Sequence, residues 1–143
     1  MGAQNAYTEK LELLAESLHI RQKVEFLGFV SRALLDELWE SARLYVNPSI
    51  YEGFGMTSVE SILHGAPTLL ADIDVNHEVT DELCEFFDDI QNPKSLSNSI
   101  KHMLESDYDA SSSHDKAQRL VKKYCLENIS KQYLDLLYEV GRS

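Results

Sequence analysis

The feature that most narrows the possible fold is an alternation of helix-period and extended apolar segments along most of the chain. Tyr7, Leu11, Leu14 and Leu18 recur at helical spacing, and Val24-Glu25-Phe26-Leu27-Gly28-Phe29 then reads as a strand. Ser31 supplies an N-cap for a helix that places Leu35, Leu38, Trp39 and Ala42 on one face. Leu44-Tyr45-Val46-Asn47 reads as a short buried strand, stopped by Pro48, which has no amide hydrogen for a ladder. A loop, Ser49 to Gly55, leads into a helix carrying Val59, Ile62 and Leu63 that ends at Gly65, and Pro67 to Ala71 forms the next strand. Cys84 to Phe87 makes a short last strand, and Asn92-Pro93 is an N-cap and N1 pair for a helix using Leu96, Ile100, Met103 and Leu104. After a polar stretch, Ser106 to Ser113, two closing helices within residues 114–141 carry Ala117, Leu120, Val121 and Tyr124, then Ile129, Tyr133, Leu136, Leu137 and Val140. This order predicts an α/β fold whose mainly parallel sheet is covered by helices.

The 143 residues leave room for one domain with one hydrophobic core. No apolar run approaches the roughly 20 residues that span a bilayer, and no signal peptide is recognisable, so the expected location is cytoplasmic. Cys84 and Cys125, far apart in the sequence, are expected as free thiols. A net charge of −11 argues against nucleic-acid binding, which needs clustered Lys and Arg. The acidic run from Asp72 to Asp89 matches no calcium-loop spacing and reads as a solvated face, with no metal site expected. His64, His77 and His114 lack the spacing of metal ligands or an acid/base pair, and His77 is expected as a surface residue in a loop before Glu78.

The chemistry concentrates between the strand ending at Asn47 and the helix that follows. In α/β sheets ligands bind beyond the carboxyl ends of strands, where a helix N-terminus offers unpaired amides and a positive dipole end. Gly53 and Gly55 allow a close backbone approach, and an anion fits the amides of Gly55, Met56, Thr57 and Ser58. Spacing alone also permits a plain tight turn, since neither the Walker nor the dinucleotide glycine pattern is present. Glu52 lies in the loop and Glu60 in the helix. A loop carboxylate suits a sugar hydroxyl or a developing positive charge, and a helical one suits ribose hydroxyls or a solvated surface.

Pro48-Ser49, Glu52-Gly53-Phe54-Gly55, Glu60 and Gly65-Ala66-Pro67 together resemble the Pro-Ser, Glu-Gly-Phe-Gly, Glu-x7-Glu and Gly-x-Pro series of retaining GT-B glycosyltransferases, the group that includes glycogen and sucrose synthases. The similarity extends upstream to Val24–Val30 and downstream through Glu78-Val79 towards Leu104. The resemblance implies a Rossmann-like three-layer domain, residues 1–143 being part of the donor-binding half of a GT-B fold without its first strands. It implies a nucleoside diphosphate sugar as donor and transfer with retention. Glu60 would hold ribose hydroxyls and Glu52 would act beside the donor sugar as the catalytic carboxylate. The amides from Gly53 through Phe54, Gly55, Met56 and Thr57 to Ser58 would cradle the sugar and diphosphate, and backbone near Gly28, Phe29 and Val30 would meet the base. No cofactor or metal is implied. The acceptor contacts would come from a missing N-terminal domain or a partner subunit, so the isolated chain is expected to lack turnover. A non-catalytic nucleotide-sugar-binding module is the alternative. The two absent strands would fall between those at Val24 and Leu44, leaving the sheet open in its middle and favouring a homo-oligomer or a complementing chain. Sugar, base and acceptor are not readable from the sequence.

Overall fold

The computed structural model describes residues 6–106 and 110–142, so residues 107–109 of the polar stretch lie outside the described residues. The chain divides into two compact units, residues 1–36 and 37–143. In the first, α1 (Ala6–Ser17) is followed by a single 3-10 turn (Arg21–Lys23) and an irregular segment leading to α2 (Arg32–Ser41), which runs on into the second unit. Ser31 accepts from the Leu34 amide at 3.3 Å and so acts as the expected cap.

The strand expected at Val24–Phe29 does not form. Val24 has extended backbone (φ −118°, ψ 123°), but an extended segment becomes a strand only when a neighbour completes its ladder, and among the described residues none does. The Val24 carbonyl is instead taken by the Arg21 guanidinium at 3.0 Å, and Gly28 at φ +64° ends the extended run. Among the described residues the sheet has three strands, and they are contiguous.

The second unit holds that sheet, made of β1 (Tyr45–Asn47), β2 (Thr68–Ala71) and β3 (Glu85–Phe87) in the order β1-β2-β3, all parallel. Asn47 pairs with Leu70, and Ala71 with Phe87. Every residue of β2 is buried, as expected of a central parallel strand covered on both faces. Side chains alternate across the sheet, so Leu69 and Ala71 face one side with Phe87, against Leu96, Ile100 and Met103 of α5 (Pro93–Glu105). The opposite layer is built by α3 (Met56–Leu63), α4 (Asp74–Thr80) and α6 (Ala110–Tyr124), whose Val59, Ile62, Val79 and Leu120 cluster with Leu83. Last comes α7 (Leu126–Val140). Asn92 caps α5 by accepting from the Lys94 amide at 3.0 Å, with Pro93 as its first helical residue, and Gly65 at φ +79° ends α3, both as read from the sequence.

The seven-residue helix α4 replaces the loop expected around His77. Val75 and Val79, one turn apart, turn inward, and Asn76 anchors the first turn by donating to the Ala71 carbonyl at 2.8 Å. Leu120, fully buried, joins α6 to α3 and α4. Leu120→Ala is expected to destabilise the fold by about 2–5 kcal/mol, read as a lower midpoint at unchanged slope in urea unfolding.

Candidate functional site

Parallel pairing sets the carboxyl ends of β1, β2 and β3 along one edge of the sheet, so Asn47, Ala71 and Phe87 mark the same rim. The chain leaves β1 at that rim through Pro48 and re-enters the fold at α3, which must start there in order to run back to the amino end of β2. Gly55 precedes α3 in the left-handed region (φ +74°, ψ +47°) and is buried, a conformation that costs a residue with a Cβ but not glycine. Its carbonyl accepts from Ser58 at 2.9 Å and from Val59 at 3.3 Å, closing the first turn. The Ser58 amide is thereby used within the helix. The amides of Met56 and Thr57 find no acceptor among the described residues and lie at the positive end of the helix.

Polar side chains fasten this turn to the sheet. Asn47 Nδ2 donates to Glu52 Oε1 at 3.3 Å and to Ser58 Oγ at 3.2 Å, while its side-chain oxygen Oδ1 accepts from the Ser49 amide at 3.1 Å. The Tyr45 hydroxyl donates to Thr57 Oγ1 at 3.0 Å. Beneath Gly55 lies Asn76, which is wholly buried. Its Oδ1 has no hydrogen-bond partner among the described residues and sits 3.7 Å from the place a Cβ on Gly55 would take. Phe54 meets the ring of Tyr124 edge-on at 5.4 Å, and Tyr124 in turn donates to the Val79 carbonyl at 2.7 Å, so the end of α6 braces the loop against α4. Glu52 is half-buried and hydrogen-bonded in the loop, and Glu60 is half-buried one turn beyond Met56 on the same side of α3. The second unit thus gathers Glu52, Gly53, Phe54, Gly55, Met56, Thr57, Ser58 and Glu60 around one helix start. Gly28, Phe29 and Val30 belong to the first unit, where Gly28 has positive φ and Phe29 is exposed.

Sequence reading missed Asn47, Asn76 and Tyr124. Asn47 looked only like the last residue before a strand-stopping proline, and Asn76 and Tyr124 act through contacts distant in the chain. A cavity of about 410 Å³ lies elsewhere, at the amino ends of β2 and β3 beside Thr68, Cys84, Glu85, Met103 and Lys116. Burial pushes the Cys84 thiol there up to about 11, which leaves it protonated and a poor nucleophile. Chemistry therefore points to the α3 rim.

The sequence model described as glycosyl transferases group 1 matches residues 1–123. The chain belongs to the group 1 glycosyl transferases. An uncharacterized glycosyltransferase of Methanocaldococcus jannaschii is 39% identical over 74 residues, covering 48% of this chain and 19% of that protein. The O-antigen chain mannosyltransferase RfbU of Salmonella typhimurium is 38% identical over 73 residues, 51% of this chain and 21% of its own length. Mannosylfructose-phosphate synthase of Agrobacterium fabrum is 38% identical over 76 residues, 49% and 17% respectively. The chain thus spans about a fifth of the length of the curated relatives it matches. Among solved structures, sucrose-phosphate synthase of Thermosynechococcus elongatus superposes with a TM-score of 0.76 at 20% identity, over 98% of this chain and 36% of that one. The three layers and parallel sheet of this group 1 glycosyl transferase are accordingly those of a GT-B, Rossmann-like half domain. No helix of the described residues is long and apolar enough to cross a membrane.

On the same rim of this glycosyl transferase, His77 is held between two carboxylates. Nε2 lies 2.7 Å from Asp72 Oδ1, Nδ1 lies 2.9 Å from Glu82, and the ring stacks on Phe86 at 3.9 Å. Hydrogen bonds to Asp72 and then Glu82 raise its pKa above the ordinary 6.5, against a smaller lowering by desolvation. A raised folded-state pKa stabilises the fold fully below 6.5, and that contribution fades as pH climbs through the raised value. The stability difference between the wild type and His77→Gln is therefore expected to be largest in mildly acidic buffer and to shrink towards alkaline pH. A difference independent of pH in parallel denaturant titrations would refute the ion-paired histidine.

Proposed function

We propose that this chain is the donor-binding half of a retaining hexosyltransferase, holding a nucleoside diphosphate sugar for transfer to a glycan or related acceptor. The observation that carries the reading is the pair of unpaired amides, Met56 and Thr57, at a helix start flanked by Glu52 and Glu60. A diphosphate oxygen completes the hydrogen bonding of those amides, and the helix end favours the charge that builds on the leaving diphosphate. Gly53, Phe54 and Gly55 give the ligand close access to backbone, with Ser58 holding the turn in place. Glu60, about one helical turn along, accepts the ribose hydroxyls. Glu52 stands beside the sugar, where a carboxylate stabilises positive charge developing at the anomeric carbon. In this assignment the backbone of Gly28, Phe29 and Val30 meets the base. The names of two relatives, a mannosyltransferase and a mannosylfructose-phosphate synthase, support a hexose donor.

Turnover requires acceptor contacts from a second domain, a partner subunit or another copy of the chain. The 143 residues alone therefore bind donor without completing transfer. The protein works in the cytoplasm, where nucleotide sugars are available, and needs no bound metal or cofactor.

Calorimetric titration with UDP, GDP and ADP tests the reading. One nucleotide is expected to bind, and Glu60→Ala should cost about 1.5–3 kcal/mol of that affinity, the worth of a charged hydrogen bond. Binding that is equally strong in Glu60→Ala removes Glu60 from the ribose.

A further inference from the structure

One side chain at the end of β1 ties the loop carboxylate to the helix start. Asn47 is 9% exposed, and its side-chain amide is engaged on both sides: Oδ1 accepts from the Ser49 amide at 3.1 Å, and Nδ2 donates to Glu52 Oε1 at 3.3 Å and Ser58 Oγ at 3.2 Å. These bonds fix its orientation, because the flipped amide would face Oδ1 to the carboxylate and Nδ2 to an N–H. Its backbone is fixed as well, since Asn47 is in register with Leu70 of the fully buried β2. Glu52 therefore has one oxygen anchored to a residue of β1 that is in register with the fully buried β2. Its second oxygen, Oε2, has no partner among the described residues.

The choice of an amide also matters. A lysine or arginine at this position would bind the carboxylate more strongly but offset its charge, whereas an amide orients the group without a compensating positive charge. Ser58, the other acceptor, lies in the first turn of α3, so the same side chain sets the spacing between the carboxylate and the unpaired amides of Met56 and Thr57.

We infer that Asn47 is a positioning residue that aims Glu52 Oε2 at the sugar of a bound nucleoside diphosphate sugar, and so determines how far the sugar adds to the affinity of the nucleotide. The assignment rests on the donor-site reading above. It acts on the sugar end of the ligand, and the diphosphate remains the task of the α3 amides.

The test is calorimetric titration of the full chain with GDP-mannose and UDP-glucose, each against its bare nucleoside diphosphate. Asn47→Asp is nearly isosteric and keeps the acceptor for Ser49, but it turns an oxygen towards Glu52. It is expected to weaken the sugar conjugate about tenfold more than it weakens the bare diphosphate, which also feels the added negative charge beside α3. Glu52→Gln restores a donor opposite the new carboxylate, so in that background Asn47→Asp should cost the conjugate little further affinity, a non-additivity that a purely structural residue would not give. If Asn47→Asp fails to fold, Asn47→Ser, which withdraws the donor without adding charge, is expected to show the same selective loss. Equal weakening of conjugate and bare diphosphate, or no weakening of either, overturns the positioning role while the donor site stands. Failure of the wild type to bind any of the four ligands overturns the donor reading and this assignment with it.

Discussion

Two parallel strands cannot be joined by a tight turn, and the pairing of β1 with β2 is the constraint from which the rest of the arrangement follows. The chain leaving Asn47 must cross a face of the sheet and return to Thr68 at the opposite edge. A helix makes that crossing, and it has to begin at the rim where β1 ended. Its first amides are consequently exposed at the carboxyl edge of the sheet without intrahelical partners. Gly55 turns the chain sharply enough for this start, and Asn47, Tyr45 and Tyr124 hold the turn from strand and neighbouring helix. A helix start with two unpartnered amides among the described residues is thus a by-product of topology, and in the proposed donor site Glu52 and Glu60 give it direction.

Electrostatics makes the local nature of that site plain. With a net charge of −11, the overall field repels an anionic ligand, so attraction has to come from aligned amides within a few ångströms of it. The same rim carries Asp72, Glu82 and the histidine between them, which lowers its net negative charge when His77 is protonated. In the proposed reading such a site would select by hydrogen-bond geometry more than by charge, in keeping with a ligand whose diphosphate and two sugars are all hydrogen-bonding groups.

Much of the second unit is legible from sequence because local signals and tertiary environment agree. The runs at Tyr45–Asn47 and Thr68–Ala71 are apolar, bounded by turn residues and buried, and the Asn92-Pro93 cap matches the helix it begins. Two segments were misread for opposite reasons. Val24–Phe29 has the composition of a strand, but strands are defined by a partner, and Arg21 takes the carbonyl that a ladder would use. The α4 segment is short and acidic, with Asn76 and Thr80 on its inward face, so its polar residues hide the helical period that packing uses. The glycines and glutamates of residues 52–60 were legible as a candidate site, and the structure gathers them around one helix start. The way it is held was not, because Asn47, Asn76 and Tyr124 serve it through contacts that composition and spacing do not record.

The most direct measurement is residue-resolved amide chemical-shift mapping of the chain as a nucleoside diphosphate is added. The account predicts that the largest changes fall at Met56 and Thr57, with smaller ones at Gly53, Phe54 and Gly55, because those amides acquire an acceptor they lack in the free protein. Changes confined to the cavity at the opposite edge, around Thr68, Glu85 and Lys116, with Met56 and Thr57 unmoved, would contradict it.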